Sequence, residues 1–510
     1  MVAVMELDPD ICYRALTARD ARFDGRLFVG VKTTGIYCRP ICPARTPKRE
    51  NVTFYPTASA AQDAGFRPCL RCRPESSPDL GAWRGTSNTV SRALTLIEAG
   101  ALDEGDVDAL AARLGVGERH LRRLFRQHVG AAPIAVAQTR RVLLAKQLIH
   151  ETRLPMTEVA LASGFGSVRR FNETFQALYR RPPAALRRLS GEAPVGEDGI
   201  QLDLAYRGPY DWPALIGFLK LRAIDGVEAV TDDQYARTIV VSGGPGLITV
   251  TPAGKPDRLS VRIRVPDLTS LPLIIARLRR VFDLTADPQT IAAHLSRDPA
   301  LAPRVAARPG LRVPGAWDGF ELAVRAILGQ QITVVAARGL AGRIVRDYGD
   351  PLPPSLAGVA PGLTHTFPSA ARLASEDLSR LPMPRARSAS LQALAAAAVD
   401  DPLLFEPRAD LVEAVKRLKA LPGIGEWTAQ YIAMRQLREP DAFPPGDIGL
   451  MRAMAAPGED RPTSAQLQAR AEAWRPWRAY AALHLWTGDP MTDPLAAPDP
   501  RKTADARQAA

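Results

Sequence analysis

The sequence predicts a multidomain protein in which a small α/β domain is followed by an all-α domain, an α+β domain and a second all-α domain. The chain has 510 residues, more than a single hydrophobic core usually spans. All five cysteines lie before residue 73, and the spacing of apolar residues changes along the chain from helical to alternating and back to helical. The predicted domains are 1–75, 87–188, 201–283 and 284–490, with linkers at 73–86 and 189–200 and a flexible tail at 491–510.

Composition and hydropathy exclude two broad classes of protein. Apolar residues make up 46% of the chain, charged residues make up 24%, and the mean hydropathy is −0.10, which argues against a largely disordered chain. The sequence contains no run of about 18 uncharged apolar residues. Residues 1–14 have neither the basic nor the apolar region of a secretion signal. We therefore expect a cytoplasmic protein with no membrane partner.

Positive charge is concentrated in the first third of the chain. Residues 1–190 contain 29 Lys and Arg against 18 Asp and Glu, whereas residues 191–510 contain 37 against 36. A region that binds nucleic-acid phosphates requires such an excess. A solvated basic surface would show the same excess, so charge alone leaves both interpretations open.

Four cysteines form two close pairs, Cys38 with Cys42 and Cys69 with Cys72, separated by 26 residues. Thiols in a protein without a secretion signal stay reduced, and two close pairs are typical of tetrahedral zinc. We therefore predict one Zn²⁺ bound by these four cysteines, which would stabilise a domain too small for a large core. The spacing alone favours a purely structural metal. Cys12 has no partner in the pattern and is predicted to be a small buried side chain.

The residues around these cysteines closely resemble the N-terminal domain of the Ada adaptive-response proteins. The resemblance lies in TTGIYCRPICPAR (33–45) and RENVTFYPTASAAQDAGFRPCLRCRPE (49–75). It implies that Cys38 is both a zinc ligand and the acceptor of a methyl group from a methylphosphotriester in damaged DNA. A metal-bound thiolate is nucleophilic at neutral pH. Its methylation removes one negative charge, so the methylated protein is expected to bind DNA more tightly. Four nearby arginines are candidates for phosphate contacts, with ordinary solvated arginine as the alternative: Arg39, Arg45, Arg67 and Arg71.

Two similar blocks, 106–133 and 156–183, each read as a short helix, a Gly-containing turn and a helix with a basic outer face. They predict a duplicated helix-turn-helix. Residues 87–188 resemble AraC-type DNA-binding domains, most clearly in EVALASGFGSVRRFNETFQALYRRPPAALR (158–187). The resemblance implies promoter DNA and RNA polymerase as partners, and hence association with the nucleoid. A helical bundle with a solvated basic face is the alternative. The candidate groove contacts are Arg169, Arg170 and Asn172 in the second unit and Arg119, Arg122 and Arg123 in the first.

The segment LKALPGIGEWTAQYIAM (418–434) reads as a helix, a tight turn and a second helix. Gly423 and Gly425 remove side chains where backbone amides must approach a phosphate, so the segment predicts a helix-hairpin-helix that grips double-stranded DNA. Asp447 follows Gly423 by 24 residues in AFPPGDIGLMRAM (442–454). By itself Asp447 is more simply explained as the N-cap of the helix that follows it.

From about residue 201 to 490 the chain resembles the 3-methyladenine DNA glycosylase II family of helix-hairpin-helix glycosylases. Besides the hairpin, the resemblance includes YDWPALIGFL (210–219), AILGQQIT (326–333) and WRPWRAYAALHLW (474–486). It implies hydrolytic excision of alkylated purines such as 3-methyladenine. A cationic base is a good leaving group, so one carboxylate, assigned to Asp447, suffices to support the sugar cation. Three aromatic residues match the family's base pocket: Trp427, Tyr431 and Trp486.

The sequence also departs from these families in ways that bear on the reaction. Lyase-active relatives carry a lysine in the pair occupied here by Glu426 and Trp427, so we expect a monofunctional hydrolase. Gln331 stands at the wedge position, where an apolar leucine is frequent, and remains our candidate to fill the gap left by a flipped nucleotide. The resemblance suggests a monovalent cation at the carbonyls near Lys419, Leu421 and Ile424. The second methyltransferase activity of full Ada proteins, towards O-alkylated guanine, is expected to be absent because its cysteine motif is missing.

Three functional interpretations follow. The first is a bifunctional, monomeric protein that senses damage at Cys38, activates transcription and excises bases at Asp447. The second is a transcription regulator with an inactive glycosylase-like scaffold. In the third, the N-terminal third delivers the enzyme to DNA without any promoter target.

Overall fold

The computed structural model describes residues 8–78, 89–187, 199–407, 410–455 and 460–487. The chain forms two compact units: Met1–Arg207, Val240–Arg279 and Leu284–Ala286 make up the first, and Gly208–Ile239, Arg280–Asp283 and Asp287–Ala510 the second. The four domain boundaries predicted from the sequence stay predictions. Most of both predicted linkers and the whole predicted tail lie outside the described residues.

Within the described residues the strands and helices have the following bounds. The strands are β1 (Phe28–Val31), β2 (Ile36–Cys38), β3 (Val52–Tyr55), β4 (Arg67–Pro68), β5 (Ile200–Ala205), β6 (Glu228–Val230), β7 (Tyr235–Val241), β8 (Gly244–Pro252) and β9 (Arg258–Arg264). The helices are α1 (Pro9–Thr17), α2 (Ala58–Asp63), α3 (Thr89–Glu98), α4 (Val107–Arg113), α5 (Glu118–His128), α6 (Pro133–Glu151), α7 (Met156–Ala162), α8 (Val168–Tyr179), α9 (Trp212–Arg222), α10 (Leu271–Val281), α11 (Pro288–Leu295), α12 (Ala302–Ala307), α13 (Gly319–Leu328), α14 (Val334–Tyr348), α15 (Ala370–Ser375), α16 (Arg385–Asp400), α17 (Leu411–Lys419), α18 (Glu426–Arg435), α19 (Ile448–Ala453), α20 (Ser464–Ala471) and α21 (Arg478–Trp486).

A four-stranded sheet in the order β3-β1-β2-β4 forms the centre of the cysteine-rich region. β1 runs antiparallel to β2 and β3, while β2 and β4 pair in parallel with Ile36 opposite Arg67. Because β2 ends at Cys38 and β4 ends directly before Cys69, the parallel pairing brings the two halves of the cysteine motif together. Cys12 is buried beside this sheet in the apolar cluster of α1, as predicted.

Two helix-turn-helix units, α4–α5 and α7–α8, follow, with the long helix α6 between them. α5 and α8 share one burial pattern at an offset of 50 residues, since Leu121 and Phe125 are buried in α5 and Phe171 and Phe175 in α8. The remaining surface of both helices is largely exposed. This repeat confirms the predicted duplication.

Period-two burial marks β5 and β9 in the region after residue 199, whereas the first five residues of β7 are all buried. In the first unit β5 and β8 flank β9, both antiparallel, with Leu202 and Val250 opposite Val261. In the second unit β6 and the start of β7 form an antiparallel hairpin. The alternation of apolar residues therefore holds for β5 and β9, and the β-branched residues of the sequence indicated β7.

From residue 287 onwards the described residues of the second unit form helices and connecting turns. α13 packs against α14, α16 and α18, α17 packs against α18, and α19 packs against α21. These contacts bring the hairpin, Asp447 and the C-terminal aromatic residues into one region. Across the described residues, every helix is too short or too polar to cross a membrane.

Candidate active site and metal centre

Asp447 lies at the N-terminus of α19, and its carboxylate has three N–H donors. The backbone N–H of Leu450 donates to Oδ1 at 2.9 Å, which makes Asp447 the N-cap of the helix. The Trp427 indole Nε1 donates to Oδ2 at 2.7 Å, and the Trp486 Nε1 donates to Oδ1 at 2.9 Å. The capping interpretation of Asp447 is therefore correct, and its catalytic role stays a prediction. Because every donor is a rigid group, the carboxylate is fixed in position.

One face of α18 carries Trp427, Tyr431 and Arg435 at intervals of four residues. The rings of Trp427 and Tyr431 stack with centroids 5.0 Å apart and planes 14° apart. The Nη1 of Arg435 donates to the Tyr431 hydroxyl at 2.6 Å. Helical spacing thus places an aromatic pair and a cation in a single row.

A cavity of about 280 Å³ opens beside this row, near the lower end of the range of about 300–1,000 Å³ for small-molecule sites. Asp447, Trp427, Tyr431 and Trp486 all line it. The acid predicted to be catalytic and the three aromatic residues predicted for the base pocket therefore lie in one concave site. Their roles in the reaction stay predictions.

The lining of the cavity also contains residues that the sequence analysis missed. Phe218 and Arg222 reach it from α9, where the Arg222 guanidinium lies 3.8 Å from the Phe218 ring centroid. Arg435 contacts the same ring at 4.8 Å and donates to the carbonyls of Pro314 and Gly315. Burial lowers the pKa of Arg222 to about 10. Burial alone raises the pKa of Tyr431, but the charges of Arg435 and Arg222 outweigh it and lower that pKa overall.

A buried ionic cluster forms another part of the cavity wall. Arg237 pairs with Glu321 at 2.7 Å, and Arg325 pairs with both Glu321 and Glu228 at 2.6 Å. Burial alone raises the pKa of Glu321, but the charges of Arg237 and Arg325 outweigh it and lower that pKa to about 2. These two arginines and two glutamates therefore balance one another in charge.

The hairpin turn between α17 and α18 requires glycine at Gly423. Its φ is +79°, and a Cβ there would lie 2.3 Å from the Ser390 Oγ. Gly425 is the exposed N-cap of α18. The carbonyl of Leu421 accepts the Ile424 N–H, and the monovalent-cation site stays a prediction.

The turn between α13 and α14 is bonded to the hairpin. The Gln330 side chain donates to the Gly423 carbonyl at 2.8 Å and to the Thr428 hydroxyl at 3.2 Å. Arg387 in turn donates to the Gln330 carbonyl at 2.6 Å. The neighbouring Gln331 is exposed and has a φ of +58°, which non-glycine residues seldom adopt. Gln331, the predicted wedge residue, is therefore exposed on a turn that hydrogen bonds of the neighbouring Gln330 hold in position.

The four predicted zinc ligands converge. The Sγ atoms of Cys38, Cys42, Cys69 and Cys72 all lie within 4.8 Å of one another. A ZnS₄ tetrahedron with bonds of about 2.3 Å has edges of about 3.8 Å, so the four sulfurs fit one Zn²⁺. Cys42, Cys69 and Cys72 are 6–8% exposed, whereas Cys38 is half-buried.

Backbone N–H groups distinguish the four sulfurs further. Arg39 N donates to the Cys72 Sγ at 3.4 Å, and Arg71 N donates to the Cys69 Sγ at 3.3 Å. No backbone N–H of the described residues donates to Cys38. Cys38 is therefore the most exposed of the four residues, and its sulfur lacks the N–H donors that stabilise the thiolates of Cys69 and Cys72.

The four arginines predicted to contact phosphate differ in their environments. Arg45 and Arg71 are exposed, and the Arg67 guanidinium lies 5.8 Å from the Tyr179 ring centroid. Arg39 is buried, pairs with Asp24 and donates to the Ser76 hydroxyl and the Cys72 carbonyl. A phosphate contact by Arg39 would require these bonds to open, and all four contacts stay predictions.

A buried lysine joins the metal centre to the helical region. Lys146 of α6 is fully buried and donates to the Glu75 carboxylate at 2.7 Å and to the Cys69 carbonyl at 3.2 Å. Glu75 follows the last metal ligand by three residues. The Lys146 ammonium group thus contacts both the backbone of a metal ligand and Glu75 from a helix of the helix-turn-helix region.

The predicted groove-contacting side chains lie on exposed helix faces. Arg169, Arg170 and Asn172 are exposed on α8, and Arg169 forms an ion pair with Glu173 at 2.8 Å. The corresponding residues of α5 are exposed too, namely Arg119, Arg122 and Arg123. Their roles in DNA binding stay predictions.

Comparison with known proteins assigns each region to a family. The metal binding domain of Ada matches residues 11–75, a helix-turn-helix domain matches 110–189, and the AlkA N-terminal domain matches 201–318. The chain is 43% identical over 490 residues to the "Probable bifunctional transcriptional activator/DNA repair enzyme AlkA" of Mycobacterium tuberculosis, which covers 95% of this chain and 97% of the relative. The chain belongs to this family of bifunctional activator and repair proteins.

Two further comparisons concern the C-terminal part. DNA-3-methyladenine glycosylase 2 of Escherichia coli K12 is 38% identical over 286 residues, covering 56% of this chain and 95% of that enzyme. The solved 3-methyladenine DNA-glycosylase of Archaeoglobus fulgidus matches at 21% identity with a TM-score of 0.50, covering 56% of this chain and 97% of that one. The second likeness concerns the fold alone. Together with the family models, these matches confirm the predicted family resemblances, the multidomain fold class and the four-cysteine zinc site.

Proposed function

We propose that this protein excises alkylated purines from double-stranded DNA by hydrolysis. The observation that carries the proposal is the Asp447 carboxylate, fixed by two indole N–H groups at the wall of a cavity that aromatic residues line. The bond between C1′ and the base nitrogen breaks, and its electron pair leaves with the base, which neutralises a cationic purine. Asp447 stabilises the positive charge on the sugar and accepts a proton from the water that attacks C1′.

Aromatic stacking supports a cationic base as the substrate. An electron-rich ring face attracts a cation by about 0.5–2 kcal/mol. The Tyr431 ring is already contacted by Trp427 and by the Arg435 guanidinium at 5.2 Å. The rings that we assign to the base are therefore those of Trp427 and Trp486, which both line the cavity. The enzyme is monofunctional in this proposal. Lyase-active relatives have a lysine at one of the two positions that Glu426 and Trp427 occupy here. Glu426 forms an ion pair with Lys419 at 2.7 Å. Neither Glu426 nor Trp427 has an amine that could form a Schiff base.

The test is release of 3-methyladenine from alkylated DNA by the intact chain and by Asp447→Asn. We expect the variant to lose most of the release, because an amide carries no charge to stabilise the sugar cation. Asp410→Asn is the matched control, since Asp410 caps α17 through a 3.0 Å bond from Glu413 N and does not line the cavity. Equal, negligible release by the intact chain and Asp447→Asn would instead support a regulator with an inert scaffold.

We further propose that Cys38 accepts a methyl group, once and irreversibly, from a methylphosphotriester in DNA. Bound Zn²⁺ keeps the four cysteines as thiolates at neutral pH. The Cys38 sulfur attacks the methyl carbon, an S–C bond forms, and the C–O bond breaks with its electron pair on the phosphodiester. The greater exposure of Cys38 and the N–H donors on Cys69 and Cys72 support this choice among the four.

Mass spectrometry after incubation with methylated DNA tests the transfer. We expect one adduct of a methyl group on the peptide that contains Cys38, and none on Cys12, whose thiol is buried. Modification of another zinc ligand, or of none, would contradict the assignment.

The third part of the proposal is transcriptional activation through the two helix-turn-helix units. The exposed residues of α5 and α8 would bind promoter DNA, with RNA polymerase as partner, and the protein would act as a monomer. Footprinting on the gene's own upstream region, before and after methylation, tests this part. A protected site that strengthens after methylation supports activation, whereas no protection in either state would leave the N-terminal region as a delivery arm.

A further inference from the structure

The outer backbone groups of β5 are bonded to side chains of α6. β5 is the outer strand of its sheet, with β9 beside it, so alternate residues of β5 direct their N–H and C=O groups away from β9. The Gln147 side chain donates to the Asp203 carbonyl at 2.8 Å, and the Asp203 N–H donates to the Glu151 carboxylate at 3.2 Å. Two side chains one helical turn apart therefore cover an edge strand at Asp203.

Glu151 also connects this strand to the metal centre. Its Oε2 accepts from the Gln147 side chain at 2.9 Å as well as from Asp203, and its Oε1 accepts from Arg73 Nη2 at 2.9 Å. Arg73 directly follows the metal ligand Cys72 and has a φ of +51°. Such a backbone persists only where its surroundings hold it. One carboxylate, 16% exposed, thus joins the helix, the strand and the residue next to a metal ligand.

A second set of contacts joins the end of the strand to the same region. Arg207, two residues beyond β5, is buried and donates to the carbonyl of Arg22 at 2.8 Å and to that of Asp24. The Asp24 carboxylate pairs with Arg39, whose backbone N–H donates to the Cys72 sulfur at 3.4 Å. All of these residues belong to the first compact unit. Both routes from β5 therefore lead to residues that contact or adjoin a metal ligand.

We propose that Glu151 and Arg207 couple the stability of β5 and β9 to zinc binding at the four cysteines. A structural metal supplies much of the folding free energy of a small cysteine-rich region. Loss of the metal releases Cys72, so that Arg73 and Asp24 no longer hold their partners and β5 loses the contacts on its outer side. β5 and β9 lie in the region that matches the AlkA N-terminal domain. The metal centre therefore also maintains the fold at the start of the repair part of the chain.

Hydrogen–deuterium exchange of the full-length protein, followed by mass spectrometry, tests this coupling. The zinc-loaded protein is compared with the protein from which a chelator has removed zinc under reducing conditions. The measured quantity is the exchange rate of the backbone amides of β5. We expect zinc removal to increase that rate by about 10- to 100-fold, which corresponds to the loss of one hydrogen bond to a charged group. Because exchange is measured and not activity, the result does not depend on the proposed reactions.

Two variants separate this coupling from a general loss of stability. Glu151→Ala removes the shared carboxylate, and Arg207→Met removes the donors to the two carbonyls but retains a long apolar side chain. Each variant breaks one route, so each should reduce the effect of zinc removal on β5, to about 3-fold or less when the two are combined. Lys255→Met is the matched control, because the exposed Lys255 pairs with the Asp203 side chain at 3.7 Å and takes part in neither route.

Two results would overturn the proposal. One is an exchange rate of β5 that stays the same after zinc removal. The other is a response to zinc removal that is as large in Glu151→Ala and Arg207→Met as in the intact chain, because zinc would then act by another route. If Glu151→Ala does not fold, Glu151→Gln takes its place, since the amide retains an oxygen for the Asp203 N–H but loses the ion pair with Arg73.

Discussion

The Trp486 indole offers a direct test of how the carboxylate of Asp447 is held. Trp486→Phe retains an aromatic ring but removes the N–H that donates to Oδ1 at 2.9 Å. A hydrogen bond to a charged group contributes about 1.5–3 kcal/mol, which corresponds to about 10- to 100-fold in rate if the bond positions the carboxylate for the transition state. We expect single-turnover release of 7-methylguanine to fall by that factor.

A double-mutant cycle shows whether Trp486 acts through Asp447. Once Asp447→Asn has removed the charge, adding Trp486→Phe should cost little more, so the coupling should be about 1.5–3 kcal/mol. Trp212→Phe is the matched control, because its indole donates to the Asp232 carbonyl at 2.9 Å and it does not line the cavity. If the two substitutions multiplied their effects, or if Trp486→Phe released base as fast as the intact chain, the carboxylate would not depend on this indole.

Three further predictions concern stability and DNA binding. Lys146→Met leaves the buried Glu75 carboxylate with Arg73, at 3.3 Å, as its remaining cation, and should lower the free energy of unfolding by up to about 3 kcal/mol in denaturant titrations. Burial and the charges of two nearby arginines lower the pKa of His484 to about 4. His484 is therefore neutral in the folded protein, and the free energy of unfolding should fall as the pH drops from about 6.5 towards 4, by up to about 3 kcal/mol. His484→Phe should flatten this dependence. Gly423→Ala forces a Cβ against Ser390 at a φ of +79°, and should destabilise the hairpin by about 1–3 kcal/mol and weaken binding to undamaged DNA.

Each of these predictions has a control on the same chain. Lys220→Met removes an exposed ion pair with Asp232, and should cost about 1 kcal/mol or less. His120→Phe alters an exposed histidine and should leave the pH dependence unchanged. Gly339→Ala adds a methyl group within α14 where nothing lies within 4 Å, so stability should not fall. If a control variant changed the stability or its pH dependence as much as the test variant did, the buried environment of the test residue would not be the cause of the change.

The part of the site that lies close together in sequence was predictable. Trp427 and Tyr431 are one helical turn apart, and the family resemblance assigned Asp447 and Trp486 to the same pocket. Arg222 and Phe218 were missed because α9 lies about 200 residues earlier and its helical pattern gives no indication of what it packs against. Arg435 had a usable signal, since it continues the four-residue spacing of Trp427 and Tyr431. A cation in a row with two aromatic residues indicates one helix face.

The fold was predictable where the apolar residues of a segment recur at one regular spacing. The repeated burial of Leu121 and Phe125 in α5 and of Phe171 and Phe175 in α8 followed from helical spacing. The parallel pairing of β2 with the two-residue strand β4 did not, because so short a strand has no period to detect. The orientation of Arg39 towards Asp24 was equally hidden, since an arginine beside a metal ligand in sequence can point inwards or outwards.

The contact of Lys146 with Glu75 and the Cys69 carbonyl limits how this chain can be divided. A break within residues 79–88 would yield one fragment with the Lys146 ammonium group exposed to water, and another in which the Glu75 carboxylate keeps only its ion pair with Arg73. Each piece would have to hydrate a charge that the intact chain keeps from solvent. The cysteine-rich region and α6 should therefore be kept on one polypeptide when the protein is truncated or fused to another protein.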